Sequence, residues 1–328
     1  MCFGIVTYIV GFMFYYQIKV MRNIFILFII FFSLISFAQD VNFNQVNLSN
    51  LYSNPALTGV NGERKISSAY KNQSPSITGG LYSIYGSYQD GSYSFGNFGA
   101  YYMNTLYSNG VYNSHRLGLN YAKPIKVTDN LTFTPGISSS VILDQVDFSK
   151  ITFGDLINPR TGRIYDINGY TPIVIKEKSY SVDFSGGLLV NWKNIFGSIS
   201  FNQFGSIGEK SIFNTYSNIG ISLSSKNHDF TLIPEISLNT IQNFHSTALK
   251  MSSYYKWAKL GVEYNLRNNF SNFSAIVGAR LAKFDLTISS EWINSQLNGI
   301  SGLSFEVGLS YTISNSEDNK PIYNYSLF

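Results

Sequence analysis

Ser304-Phe305-Glu306-Val307-Gly308-Leu309-Ser310-Tyr311-Thr312-Ile313 alternates without a fault. Phe305, Val307, Leu309, Tyr311 and Ile313 fall on one face of an extended chain, opposite Ser304, Glu306, Gly308, Ser310 and Thr312, because successive strand side chains point to opposite sides. The same split runs through Tyr180 to Trp192, where Tyr180, Val182, Phe184, Leu188, Val190 and Trp192 oppose Ser181, Asp183, Ser185 and Asn191. Helical periodicity is hard to find after residue 38, and period-two alternation recurs to the C-terminus. The pattern predicts about fourteen strands, near 64–72, 81–89, 93–104, 113–126, 130–143, 180–193, 195–204, 214–225, 228–241, 247–256, 257–268, 271–281, 282–293 and 302–313.

Composition says what the two faces meet. The chain of 328 residues is 16% aromatic and only 13% charged, with 24 Tyr and 26 Phe, yet its mean hydropathy is +0.02. Apolar and polar residues are therefore mixed finely, as in an all-β transmembrane outer-membrane barrel of antiparallel strands, with one face toward lipid and the other toward a polar lumen. Upstream, Met21-Arg22-Asn23, the apolar run Ile24 to Phe37 and the small residues Ser36 and Ala38 read as a signal peptide over 1–38, cleaved before Gln39. A translation start at Met21 accounts for the additional apolar stretch Met1 to Tyr16; a two-helix membrane hairpin is the rival, and both stretches fall short of the ~20 residues a span needs. Removing residues 1–38, which include Lys19 and Arg22, lowers the net charge from +4 to +2, a balance that gives no argument for nucleic acid.

The remaining chain divides into an N-terminal segment 39–63, a barrel over 64–313 and a tail 314–328. Connections after strands 2, 4, 6, 8, 10 and 12 are short, such as Lys193-Asn194 and Lys226-Asn227, whereas most of those between them are longer. Short periplasmic turns and long outer loops are the rule for these barrels, so both termini are expected in the periplasm. The connection around Asn268 to Ser271 breaks the rule. The longest connection, about 144–179, is either a solvated outer loop or a partner-binding surface.

With apolar faces toward lipid, Asp183, Glu235, Lys250, Glu263, Arg267, Arg280, Asp285, Glu291 and Glu306 point into the lumen. Both signs occur, so they read as a salt-bridged filling, since buried charges are costly unless paired; a charged cavity receiving a peptide is the sharper alternative. Tyr101, Tyr102, Tyr254, Tyr255, Trp257 and Trp292 lie near strand ends, as an interfacial girdle requires. Chemistry finds little support. His115, His228 and His245 stand far apart, Cys2 precedes the signal, and neither a zinc pattern nor a G-x-S-x-G elbow occurs, so no enzyme, cofactor or metal is expected. Gly208-Glu209-Lys210-Ser211 lacks the frame of a phosphate loop and reads as an outer loop.

One further run, Tyr52-Ser53-Asn54-Pro55-Ala56-Leu57-Thr58-Gly59, precedes the first strand. Asn-Pro favours an extended or turn conformation and Gly59 can take a positive φ, so the segment can sit at, or tuck into, the periplasmic mouth. With Gln39 to Gln45 it is similar to the mature start and Asn-Pro-Ala-x-x-Gly signature of the PorP/SprF family of the Bacteroidota type IX secretion system. Ala69-Tyr70-Lys71-Asn72-Gln73 with Gly79-Gly80, His115 to Pro124, Asp183 to Asn202 and the closing strand 304–313 carry the likeness across nearly the whole mature chain. Ser74 replaces the family's usual tryptophan, Lys71 replaces its arginine, and the tail beyond Ile313 is extra. The resemblance implies an outer-membrane component that binds or anchors secreted surface proteins, such as gliding adhesins, and links to periplasmic ring or motor proteins. It also points to Tyr52, Asn54, Pro55, Ala56, Gly59, Tyr70, Lys71 and Gln73 as a possible contact with periplasmic partners. An outer-membrane channel for small or hydrophobic solutes is the alternative.

Overall fold

The computed structural model describes residues 49–73, 75, 79–151, 177–208, 213–225, 229–242, 244–267, 270–294 and 303–315. The chain divides into the units Met1–Ala38 and Gln39–Phe328, and every described residue belongs to the second. The expected signal peptide, most of the long outer loop, His228 and nearly all of the tail lie outside the described residues.

Sixteen strand segments follow one another: β1 (Glu63–Gln73), β2 (Leu81–Asp90), β3 (Asn97–Tyr107), β4 (Tyr112–Ala122), β5 (Ile125–Thr128), β6 (Leu131–Val146), β7 (Lys178–Trp192) and β8 (Ile195–Gly208) come first. Then follow β9 (Asn214–Ile221), β10 (Leu223–Ser224), β11 (Phe230–Ile241), β12 (Phe244–Tyr255), β13 (Ala258–Arg267), β14 (Phe270–Leu281), β15 (Phe284–Asn294) and β16 (Leu303–Asn315). Two of the segments are continuations. Pro124 cannot donate to a ladder, so β4 and β5 are separated there although both pair with β6; β9 and β10, split at Ser222, both pair with β11. Fourteen full strands remain, each antiparallel to its neighbours, and β16 pairs with β1 from Tyr311↔Ile66 to Phe305↔Asn72. That last ladder closes the sheet into a barrel and leaves no unpaired edge for lipid to meet. The strands expected from alternation fall on these fourteen.

Closure gives each face one environment. On β15, Phe284, Leu286, Ile288 and Trp292 are exposed outside, while Asp285, Thr287, Ser289 and Glu291 are buried inside. The outer belt on this strand runs nine residues, eight steps, from Phe284 to Trp292. At ~3.3 Å per residue and a tilt of ~40°, it stands about 20 Å tall, close to the apolar band of outer-membrane barrels. The end where β1 begins and β16 finishes is called proximal below, and the other end distal. Two-residue proximal turns at Lys193-Asn194, Lys256-Trp257 and Ala282-Lys283 each open on a residue with positive φ, 54°, 53° and 53° respectively, as tight hairpins between right-twisted strands require.

A girdle of adjacent pairs is incompatible with a pleat. Tyr102 is 44% exposed but Tyr101 only 4%; Tyr255 is 55% exposed but Tyr254 only 8%. Tyr102, Tyr255, Trp257 and Trp292 do face outward, whereas Tyr101 and Tyr254 belong to the lumen, because consecutive side chains take opposite faces.

Candidate functional site

The lumen is filled, and the chain supplies its own filling. Residues 49–62 rise from the proximal end as a single helical turn, Asn50–Ser53, pass through Asn54, and return as two short 3-10 turns, Pro55–Leu57 and Val60–Gly62, into β1. Proline suits the first position of the second turn, where its missing N–H is not needed. The Asn54 side chain caps that turn by accepting from the Ala56 N–H at 2.9 Å, and the Thr58 hydroxyl donates to the Pro55 carbonyl at 2.7 Å. Gly59, at φ 59°, then reverses the chain, a left-handed conformation that glycine takes without a Cβ clash.

Barrel side chains pair with backbone groups of this segment and with the Asn50 side chain. Asn97 on β3 donates to the carbonyls of Thr58 and Gly59 at 2.9 and 3.1 Å. Gln89 on β2 accepts from the Asn50 side chain and the Gly59 N–H, both at 3.2 Å. Asn120 on β4 donates to the Leu51 carbonyl at 2.7 Å, and Ser200 and Asn202 on β8 both donate to the Ser53 carbonyl, at 2.8 and 3.0 Å. Since a buried backbone carbonyl without a partner is costly, these five side chains define one seated position for the plug.

Close approach is the second device. A Cβ on Gly136 of β6 would lie 2.4 Å from the Ala56 nitrogen, and one on Gly187 of β7 would lie 2.0 Å from Asn54 Oδ1. Only a wall without side chains there admits the motif. Toward the far wall, Ala56 and Leu57 pack with Leu189, Phe196, Ile233, Tyr254 and Ile276, and a second apolar cluster joins Leu51 to Ala69, Tyr85, Tyr101 and Met103. Above them Tyr52 meets Tyr101 edge-on at 6.1 Å, with the Arg116 guanidinium 5.2 Å from its ring centre.

A layer of charge fills the β11–β16 side and β1. Glu235, Lys250 and Glu263 stand in register on β11, β12 and β13, and Asn218 donates to Glu235 at 2.8 Å. Lys71 reaches Glu291 at 3.4 Å with both side chains nearly inaccessible, and Glu306 lies in register with Lys71, fully buried. Nearer the proximal end Asp285 takes Lys259, and Arg280 at 3.1 Å. Asp183 is buried in the β7 wall opposite Ser140, and half-buried Arg267 is in register with Ser246. Most of these side chains have opposite charges as neighbours.

The family-motif residues are placed otherwise than as a periplasmic contact surface. Asn54, Pro55, Ala56 and Gly59 are buried against the barrel's own wall, and Tyr52 is half-buried inside it. Tyr70, Lys71 and Gln73 sit at the distal end of β1, Tyr70 outward beside Phe305 at 5.9 Å and Lys71 inward on Glu291. Seven residue steps along β1 separate Glu63 from Tyr70, about 23 Å, so the two groups form no single surface. Sequence reasoning missed Gln89, Asn97, Gly136, Gly187, Leu189, Phe196, Ile233 and Ile276. The last four carried a signal, since each puts an apolar side chain on a face whose neighbours are polar.

Neither described histidine lies in the lumen. His115 is within 2.8 Å of the Tyr102 hydroxyl on the outer face, and His245 is within 3.2 Å of the Thr240 hydroxyl. Among the described residues no group of three His, Cys, Asp or Glu could hold a metal ion.

Solved structures similar to this chain are membrane barrels. The P. putida toluene transporter TodX shares 13% identity over 80% of this chain and 93% of its own, with a TM-score of 0.48. A Pseudomonas aeruginosa FadL homologue shares 11% over 81% and 94%, with a TM-score of 0.45, and the Acinetobacter baumannii outer membrane protein Omp33 shares 6% over 76% and 97%, with a TM-score of 0.43. These likenesses carry no functional inference. No curated protein matches. Residues 35–311 match the family described as type IX secretion system membrane protein PorP/SprF, and with that span including the plug and all but the last residues of the barrel, the chain belongs to this family.

Proposed function

We propose that this outer-membrane component of the type IX secretion system works as a closed binding scaffold. It holds secreted surface proteins, such as gliding adhesins, at its distal loops and meets periplasmic ring or motor components at its proximal end. The observation that carries this is the filled lumen: a motif seated by five side chains, an apolar core and layered ion pairs occupy the space a diffusive channel needs. In this reading the signal peptide is removed at 38/39, both termini are periplasmic, and the motif acts inward, by bracing the barrel, instead of outward on a partner. The work is binding, with no bond made or broken.

Two experiments test the proposal. Purified protein in a planar bilayer should show no steady conductance; a stable open pore would favour the solute channel. Deletion of the gene, followed by mass spectrometry of the cell surface and culture fluid, should show loss of at least one displayed type IX substrate. Unchanged display of every substrate would sink the function.

A further inference from the structure

The two ends of the barrel differ in charge. Among the described residues, the proximal connections and β5 carry Lys123, Lys126, Lys193, Lys256 and Lys283 against Asp129 and Asp229, and Lys126 pairs with Asp129 at 3.0 Å. The distal connections carry only Asp147, Lys150 and Glu177, and Lys150 pairs with Asp147 at 3.3 Å. Among the described residues, the excess of positive charge thus lies in the proximal connections.

Their neighbours say what that rim meets. Lys193 follows Trp192, Lys256 lies between Tyr255 and Trp257, and Lys283 precedes Phe284; all four aromatic residues are exposed on the outer face. All three lysines are exposed in turns directly beyond the apolar belt, and the Lys256 ammonium lies against the outward Tyr255 ring. At that depth a long aliphatic stem can lie along rings that contact acyl chains while its charged head reaches the headgroup layer. The turns also hold lysine where hairpin geometry favours asparagine or glycine: Lys193 and Lys256 both adopt φ near +54°. Lys283 donates to the Ile313 carbonyl at 3.1 Å, using one of its three N–H groups, and Lys256 lies 5.5 Å from the centre of the Tyr255 ring.

We infer that the proximal rim is a binding surface for anionic phospholipid headgroups, in which the turn lysines take phosphate oxygens of the adjoining leaflet. A ring of ammoniums at headgroup depth attracts net negative lipid electrostatically, and the girdle fixes its height. Such a contact sets how deep the barrel sits and which end lies in a phospholipid leaflet. It rests on the membrane barrel alone and stands whether or not the secretion scaffold proposal does.

The test uses full-length protein in nanodiscs of phosphatidylethanolamine doped with phosphatidylglycerol, followed by mass spectrometry of the lipid retained on release. The native protein should retain phosphatidylglycerol at roughly three-fold or more above its bulk share, and the K193Q/K256Q/K283Q variant should fall to the bulk ratio. K150Q, at the distal end, should leave the enrichment unchanged. Glutamine suits these turns, since Gln242 already adopts φ 54° at a distal turn. Should the triple variant fail to fold, K283Q alone carries the comparison, with a smaller drop expected. Retention at the bulk ratio by the native protein, or equal enrichment in native and variant, overturns the inference. So does unchanged lipid retention with loss of binding to an acidic protein, which would make the rim a protein interface.

Discussion

Substituting Gly136 with valine is expected to dislodge the plug while leaving the barrel closed. A Cβ at this position falls 2.4 Å from the Ala56 nitrogen, 2.5 Å from the Pro55 carbonyl carbon and 2.6 Å from Ala56 Cα. All three are backbone atoms, so no flexible side chain can swing aside, and ordinary contact needs a retreat of about 1 Å. Such a shift stretches the Asn120–Leu51 hydrogen bond between wall and plug, now 2.7 Å, beyond useful length. One lost bond at about 1 kcal/mol, with part of the burial of Leu57 at about 1.5–3 kcal/mol, destabilises the seated plug by roughly 2–3 kcal/mol. Valine is a good strand residue, so the wall itself should tolerate the change. Gly86→Val on β2 is the control, because a Cβ there meets nothing within 4 Å. The assay combines planar-bilayer conductance with limited proteolysis of residues 49–62, and heat-modifiable gel migration confirms a folded barrel. The Gly136 variant should conduct and be cut within the plug, and the Gly86 variant should do neither. A folded, silent and uncut Gly136 variant would refute the claim that close backbone approach seats the plug.

Other expectations follow from the same contacts. Asn97→Ala removes a donor from the Thr58 carbonyl and one of the two donors, with the Gly62 N–H, from the Gly59 carbonyl, and should cost about 1–3 kcal/mol, read as a lower denaturation midpoint and faster cleavage within residues 49–62. Leu57→Ala, at a fully buried position of the lumen core, should cost about 2–5 kcal/mol in the same measurements; a value near zero would mean that the apolar cluster does not hold the plug. Glu291→Ala removes one buried carboxylate from Lys71, leaving Glu306 in register with it, and should destabilise the barrel by roughly 1–3 kcal/mol, whereas the double change with Lys71→Met should recover part of the loss in a double-mutant cycle. Val277→Arg, on the lipid face near mid-belt, should cost about 2–4 kcal/mol when folding is followed in vesicles; indifference to this change would contradict the assigned outer face.

Much of this molecule is legible without coordinates. The ten residues from Ser304 to Ile313 state their two faces directly, and fourteen such stretches, with short turns at Lys193-Asn194 and Lys256-Trp257, imply a barrel. The inward charges follow by the same parity, since Glu291 and Glu306 occupy the same faces as serines. Parity also shows where the girdle expectation failed: Tyr101 and Tyr102 cannot share a face, nor can Tyr254 and Tyr255. The site was harder to find. Asn54-Pro55-Ala56 and Gly59 announce a turn before the first strand, but not that Gly136 and Gly187, some 80 and 130 residues away, leave the space for it.

By itself, the sequence determined the strand count, the two faces and the family, because alternation and motif are properties of neighbouring residues. Only the tertiary structure decided that the motif sits in the lumen, that Lys71 pairs with Glu291, and that Leu189, Phe196, Ile233 and Ile276 form an apolar core with Ala56 and Leu57. The physical reason is closure. When β16 meets β1, residues far apart in the chain come to share a lumen, and what fills it depends on shape and unpaired backbone groups that no local pattern encodes.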